Sequence, residues 1–471
     1  MLVRLRHSIL GNGSAPSGHR STVNLVRLPA ELLLHIGNEV LRHPETTFGQ
    51  FKQLRLVCKF FDQVFAPIVL SSILVFHDDY STTANCEMLL SLISGSGYAS
   101  YAKKLVLNSS QWDSRETVMP SDDGEDSADQ EAFRSSCVPL KKWLYQTIAV
   151  PKNAGRRPRE PTIELKAKEY IEHIDQVSFN LPNVQTVTWS IGKRPCHNSE
   201  KSMGINLRLL ETLPSLLQLN LFLCSFYRMD LLAPSLSRIR NLQKLNVCMD
   251  GGQEGLSLVW LKDVIARCPD LAHLAIRCIS PSGSILLSEL FEDVPPDRPL
   301  RLQHLRVCGY CYDMTPRVLS HLRSLTSLHV STSLAWPPLS KPIHEIWQIL
   351  IDERIFVSKL TTTSYSKGML RYISHLDNLT HFSIHTFISG SCAQKMAQSL
   401  FEELAKHSST LTHLELSPLN WNNWQCNTLA KLSFLQCNRL EQLTLAADAG
   451  ISWDEIVSSF PIKITLFNHN T

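Results

Sequence analysis

From residue 181 onward the chain repeats one spacing of apolar positions, L-x-x-L-x-L with substitutions. The phrase appears as VQTVTW at 184, LLQLNL at 216, LQKLNV at 242, LAHLAI at 271 and LQHLRV at 302. It continues as LTSLHV at 325, VSKLTT at 357, LTHFSI at 379, LTHLEL at 411 and LEQLTL at 440. Alternation at the end of each phrase predicts a short strand whose fourth and sixth residues point into a core and whose third and fifth point away from it. Between the phrases, apolar residues recur every three or four positions. That spacing predicts helices over 255–268, 284–294, 343–357 and 392–407. An outlying copy, AKKLVL at 102, is read as an earlier rung of the same series.

A strand followed by a helix cannot bury both apolar faces alone, and stacking many such units buries a continuous core. The intervals between phrases centre on the period of a leucine-rich repeat. The expected fold is therefore α/β, a curved solenoid with a parallel sheet on its concave face. A doubly wound sheet is the rival, but it does not require the same strand phrase in every unit.

The N-terminal part follows a different pattern. In LPAELLLHI, residues 28–36, Pro29 suits the first turn of a helix. Leu32, Leu33, Ile36, Val40 and Leu41 recur at helical spacing, and Phe51, Leu54, Val57, Cys58, Phe61, Val64 and Phe65 form the stripe of a second helix. So short a helical unit rarely supplies enough core to stand alone. It must dock on the rest of the chain or on another protein. The chain divides into a polar, disordered leader at 1–24, this helical unit at 25–76, a first irregular repeat at 77–180, and the regular repeats at 181–471. Within the third part, 109–136 is acidic and serine-rich and 151–161 is basic and proline-bearing; both are read as mobile, charged insertions. The basic one is either a solvated loop that neutralises the acidic one or a nuclear address.

Composition narrows the function classes. With 44% apolar and 19% charged residues the chain has ample material for a core, and a net charge of +3 is too mild to indicate nucleic acid. Thirteen scattered cysteines form no paired framework and point to a reducing compartment, cytoplasmic and/or nuclear. The longest apolar window, FAPIVLSSILVF at 65–76, is too short for a membrane span, so no membrane association is expected. No G-x-S-x-G, H-E-x-x-H or complete phosphate-binding loop occurs. Cys308 and Cys311 form a lone C-x-x-C without a second ligand pair. The reading is of a non-catalytic protein without metal or cofactor.

The informative surface is the outward side of the strands. Its third-position column holds Lys244, His273, His304, Lys359, His381 and His413; Arg306 and His329 stand at fifth positions, and Arg277 and His385 just after the phrase. Glu415 is the exception in a face otherwise nearly free of carboxylates. Lys244, His273, Arg277, His304, Arg306, His329, His381, His385 and His413 are therefore the candidate substrate-binding residues. Donors of this kind suit an acidic or phosphorylated protein segment. The alternative is that histidine is merely a tolerated filler beside the repeat leucines.

Together, the helical unit and the repeats resemble an F-box leucine-rich-repeat protein, fungal members in particular. Leu28, Pro29, Glu31, Leu32, Leu33 and Ile36 match the opening of the F-box pattern, and Leu54, Val57, Cys58, Lys59 and Phe61 match its second half. The segment RHPETTFGQ lengthens the connection between the two halves. The resemblance implies that Leu28, Pro29, Leu32, Ile36, Leu54, Val57, Cys58 and Phe61 dock a Skp-type adaptor. That adaptor links the chain to a cullin scaffold, and the repeats hold the protein to be ubiquitinated. The expected function is then the substrate-recognition subunit of a Skp–cullin–F-box ubiquitin ligase. The alternative is a leucine-rich-repeat interaction scaffold without a ubiquitination role, its N-terminal helices a cap on the first repeat.

Overall fold

A computed structural model of the chain describes residues 28–29, 32–33, 59–76, 97–108, 181–191, 206–224, 235–250, 259–278, 286–308, 313–331, 340–363, 365–385, 392–416, 437–447 and 463–468. The expected leader at 1–24 and the charged segments 109–136 and 151–161 lie outside the described residues. By contacts the chain forms two compact units, one of residues 1–73, 87–105 and 112–183, the other of 74–86, 106–111 and 184–471.

In the first unit, helix α1 (Lys59–Val69) buries Phe61, Val64, Phe65 and Ala66. Phe61 and Phe65, one turn apart, meet edge to face with ring centroids 5.6 Å apart. Alongside α1 packs a 3₁₀ turn, Gly97–Tyr101, which buries Ala99. The Pro29 carbonyl accepts from the amides of both Leu32 and Leu33 at 3.1 Å.

Among the described residues thirteen strands lie in one sheet in chain order: β1 (Ser72–Phe76), β2 (Lys104–Asn108), β3 (Thr186–Ile191), β4 (Gln218–Cys224), β5 (Lys244–Asp250), β6 (His273–Cys278), β7 (His304–Cys308), β8 (Ser327–Ser331), β9 (Lys359–Thr362), β10 (His381–Ile384), β11 (His413–Leu416), β12 (Gln442–Ala447) and β13 (Lys463–Asn468). Every neighbouring pair from β3 to β13 is parallel. All ten phrases supply a strand, and AKKLVL supplies β2. Two strands were not anticipated. β1 lies within the apolar window at 65–76, whose first half belongs to α1. At β13, proline replaces the leading leucine of the phrase.

The alternation holds strand by strand. In β7 through β11, fourth-position residues Leu305, Leu328, Leu360, Phe382 and Leu414 are buried, while the third and fifth positions are half-buried. The core continues into the helices through Trp260, Phe291, Trp347, Tyr372 and Phe401.

Helices described in the second unit include α2 (Val259–Ala266), α3 (Leu287–Leu290), α4 (Pro316–Leu322), α5 (Ser340–Asp352), α6 (Lys367–Ser374) and α7 (Cys392–Ala405). Capping chemistry sets their limits. Thr315 caps α4 with its side chain towards the Val318 amide, and Pro316 opens the first turn; Ser366 caps α6 by accepting from Met369 at 3.0 Å. The expected helix over 284–294 is only the single turn α3, because Leu286 offers no side-chain cap and Pro295 and Pro296 follow. The helix expected at 343–357 stops at Asp352. Arg354 turns left-handed (φ 56), Ile355 donates to the Leu350 carbonyl at 2.9 Å, and Arg354 donates to Ile351 at 3.0 Å. Those two bonds close a Schellman turn. They release Ile355–Val357 to enter the next strand.

Candidate protein-binding face

The register of the parallel strands brings one position of each repeat into line. Lys244 pairs with His273, His273 with His304, His304 with Ser327, and Ser327 with Lys359. The line continues from Lys359 to His381, His413, Gln442 and Lys463. These are the third positions of the phrases, so the repeat itself places them on one side of the sheet. Lys244 is exposed, and the residues from His273 to Gln442 are half-buried.

Two pairs of histidines meet along this line. His273 and His304 have ring centroids 5.4 Å apart with planes inclined at 32°, and His381 and His413 stack at 4.1 Å and 8°. The second pair is held from behind by the residues just before it. The Thr380 hydroxyl donates to the Ser358 carbonyl at 3.0 Å and lies 2.8 Å from His381 Nδ1. Thr412 repeats the arrangement, donating to the Thr380 carbonyl at 3.0 Å and lying 2.8 Å from His413 Nδ1. A hydroxyl has one proton. Having donated it to a carbonyl, each threonine accepts from its histidine, so Nδ1 carries the ring proton in the neutral form. Thr326 and Ser358 make the same hydroxyl-to-carbonyl link on the two preceding rungs, to Gln303 at 3.0 Å and to Thr326 at 3.2 Å.

The fifth-position column changes character along the sheet. Near its start it is an amide ladder: Asn220 donates to the Thr188 hydroxyl at 3.1 Å, and Asn246 donates to Asn220 Oδ1 at 2.7 Å. Arg306 then pairs in register with His329. Arg277 stands beside Cys248 and Cys308. Further on, Ser383 donates to Glu415 at 2.9 Å, and His385 Nε2 lies 2.9 Å from the same serine oxygen and 4.0 Å from Glu415 Oε1.

Within the expected donor set, His385 is already engaged by its neighbours. It is only 8% exposed and is occupied with Ser383 and Glu415, because a residue two places beyond a half-buried fifth position is covered by its neighbours. This trio does not activate a nucleophile, since Ser383 gives its proton to a carboxylate and receives one from the imidazole. Two histidines elsewhere are structural. His321 Nδ1 accepts from the Leu300 amide at 3.0 Å, and His407 Nε2 lies 3.0 Å from the Ile373 carbonyl. Burial lowers the pKa of both from the ordinary histidine value.

The expected adaptor-docking residues divide differently. Leu32 is 50% exposed beside a fully covered Leu33, Pro29 is exposed and Leu28 half-buried. Phe61 is 3% exposed, its ring against Phe65 within the first unit. Ile36, Leu54, Val57 and Cys58 lie outside the described residues.

Cys308 is buried, and its C-x-x-C partner Cys311 lies outside the described residues. Among the described residues no three His, Cys, Asp or Glu side chains gather as a metal site, and no helix is long and apolar enough to cross a membrane. Lys359 and Lys463 complete the third-position line but were not among the candidates. The repeat phrase already pointed to Lys359; at Lys463 the phrase was broken by the proline. No protein-family model matches the chain, and no curated protein matches it in sequence.

Proposed function

We propose that the chain is the substrate-recognition subunit of a Skp–cullin–F-box ubiquitin ligase. In this reading the N-terminal helical segment docks a Skp-type adaptor, the adaptor joins the cullin scaffold, and leucine-rich repeats hold the protein to be ubiquitinated. The chain itself performs no catalysis. The observation that carries the reading is the sheet: one parallel strand per repeat, in chain order, with leucines turned inward and one polar column turned outward. Read as a leucine-rich-repeat solenoid, that sheet is the concave wall on which such arrays bind their partners.

The test is co-purification of the tagged full-length chain with a Skp-type adaptor and cullin from eukaryotic cells. Leu32→Ala is expected to weaken adaptor capture by at least about tenfold, as loss of an interface anchor does, with circular dichroism unchanged. Phe61 favours a second reading. With its ring already buried, the N-terminal helices serve equally as a cap, and the chain is a repeat scaffold without a ubiquitination role. Full-length protein that folds and binds partners but never brings down the adaptor supports the scaffold.

A further inference from the structure

The connections that lead into the strands carry a pattern of their own, on the edge of the sheet and not on its outward face. Arg240 stands two residues before the phrase of β5, Arg267 four before that of β6, Arg301 directly before that of β7 and Arg323 two before that of β8. All four are exposed. Backbone bonds keep these edges aligned. The amides of Ala272, Gln303 and Thr326 donate to the carbonyls of Gln243, Ala272 and Gln303 on the preceding rungs, at 3.0, 2.8 and 2.8 Å. Neighbouring parallel strands lie about 4.8 Å apart, so three steps set the four arginines along an edge about 14 Å long.

None of these four guanidinium groups makes a hydrogen bond or ion pair among the described residues. Other cations of the same stretch are matched. Arg238 meets Glu211 at 3.3 Å, Lys262 meets Glu292 at 2.5 Å and Asp293 at 3.6 Å, and Arg298 meets Asp297 at 3.9 Å. Among residues 240–243, 267–272, 297–303 and 323–326, Asp270 is the one carboxylate outside an ion pair. On the next two rungs the sign of the edge changes, because Asp352 and Glu353 precede Arg354 and Asp377 precedes β10. The basic edge is thus confined to the entries of β5 through β8.

We propose that this edge docks an acidic segment of another protein, lying extended along Arg240, Arg267, Arg301 and Arg323. The surface is separate from the outward face and does not depend on the ligase reading. A guanidinium group stays charged at every working pH, and its planar fork matches the two oxygens of a carboxylate. About four extended residues span the 14 Å of the edge. The surrounding residues disfavour other occupants. The four connections hold no aromatic residue on which a nucleic-acid base would stack, and the net charge of +3 lacks the strong basicity of a nucleic-acid binder. Among the described residues the exposed large apolar side chains are Leu32, Val259 and Phe356, and none lies in these connections to enter a membrane. Charge and hydrogen bonding are what the edge offers, so its binding is sensitive to salt.

The experiment is fluorescence polarisation of the full-length chain with labelled octaglutamate, octaglutamine and a DNA duplex, beside sedimentation with vesicles of phosphatidylserine and phosphatidylcholine. Octaglutamate is expected to bind at least about tenfold tighter than octaglutamine, and to weaken about tenfold between about 50 and 200 mM salt. Arg240→Gln/Arg267→Gln/Arg301→Gln/Arg323→Gln is expected to remove most of that preference with the thermal melt unchanged. Its two halves, made separately, are each expected to lose about threefold, so a quadruple variant that misfolds does not decide the matter. A variant with the same loss of charge elsewhere, Lys367→Gln/Arg371→Gln/Lys395→Gln/Lys406→Gln, is expected to keep the preference. Equal binding of octaglutamate and octaglutamine overturns the docking edge. An equal loss in the second variant also overturns it and assigns the attraction to net charge alone. Tighter binding of the duplex than of octaglutamate replaces the proposal with a nucleic-acid face, and sedimentation with the vesicles that the first variant abolishes replaces it with a membrane contact. Failure of adaptor co-purification with the octaglutamate preference intact removes the ligase reading and leaves the docking edge standing.

Discussion

The Tyr372 hydroxyl on α6 donates to the carbonyl of Ile355 at 2.9 Å and accepts from the Val357 amide at 3.3 Å. A single buried side chain thus satisfies both ends of the crossing that follows the Schellman turn and leads into β9. Burial raises the pKa of this phenol well above its ordinary value, so it remains a neutral donor throughout the working pH range. Tyr372→Phe leaves both backbone groups without their partner and is expected to cost about 1–3 kcal/mol. Urea denaturation with an unchanged m-value checks it; a loss below a few tenths of a kcal/mol contradicts this role.

Neighbouring residues of β7 offer a comparison between the two faces of the sheet. Leu305 is 1% exposed, and Leu305→Ala is expected to destabilise by about 2–5 kcal/mol through the cavity it leaves. His304 is half-buried on the opposite side, and His304→Ala is expected to stay within about 1 kcal/mol. Thermal melts of the two variants decide the matter, and comparable losses would reverse the assignment of faces.

Acid should weaken the fold through His321 and His407, both held below the ordinary histidine pKa by burial. Above that ordinary value, near pH 6.5, folded and unfolded forms are both neutral and the two rings contribute no slope. As pH falls through it, the unfolded chain takes up protons that the folded rings refuse, so stability declines. Urea midpoints measured from about pH 7.5 down to pH 5.5 are expected to fall, and the slope is expected to flatten in a His321→Gln/His407→Gln variant. A slope of equal steepness in that variant assigns the acid sensitivity to other groups.

Cys268 is buried, accepts from the Leu242 amide at 3.3 Å and has its thiol pushed up to about 11 by desolvation. The thiolate is the reactive form, and at about pH 8 it amounts to roughly one part in a thousand here. Iodoacetamide is expected to modify Cys268 only after unfolding, as read by mass spectrometry of native and urea-treated samples. Rapid labelling of the native chain would show that the site opens locally.

The strands and their inward residues were legible in the sequence, because a strand's two faces are encoded by a local period of two that ten phrases repeat. The same repetition made the outward column legible, since parallel strands in chain order align equal positions of each phrase. Helix ends were less so: α3 and α5 stop where capping and a left-handed Arg354 dictate, and apolar spacing alone runs past both points. Only the tertiary structure decided which outward groups are already engaged. Whether His385 is an open donor depends on Ser383 and on Glu415 from the next strand, and the ring proton of His381 depends on a hydroxyl whose own proton goes to Ser358 of another repeat. Phe61 likewise fits an amphipathic stripe whether it faces a partner or its own Phe65, and packing alone separates the two. Local periodicity gives the direction of a side chain, but burial and hydrogen bonding are set by what the rest of the chain brings to meet it.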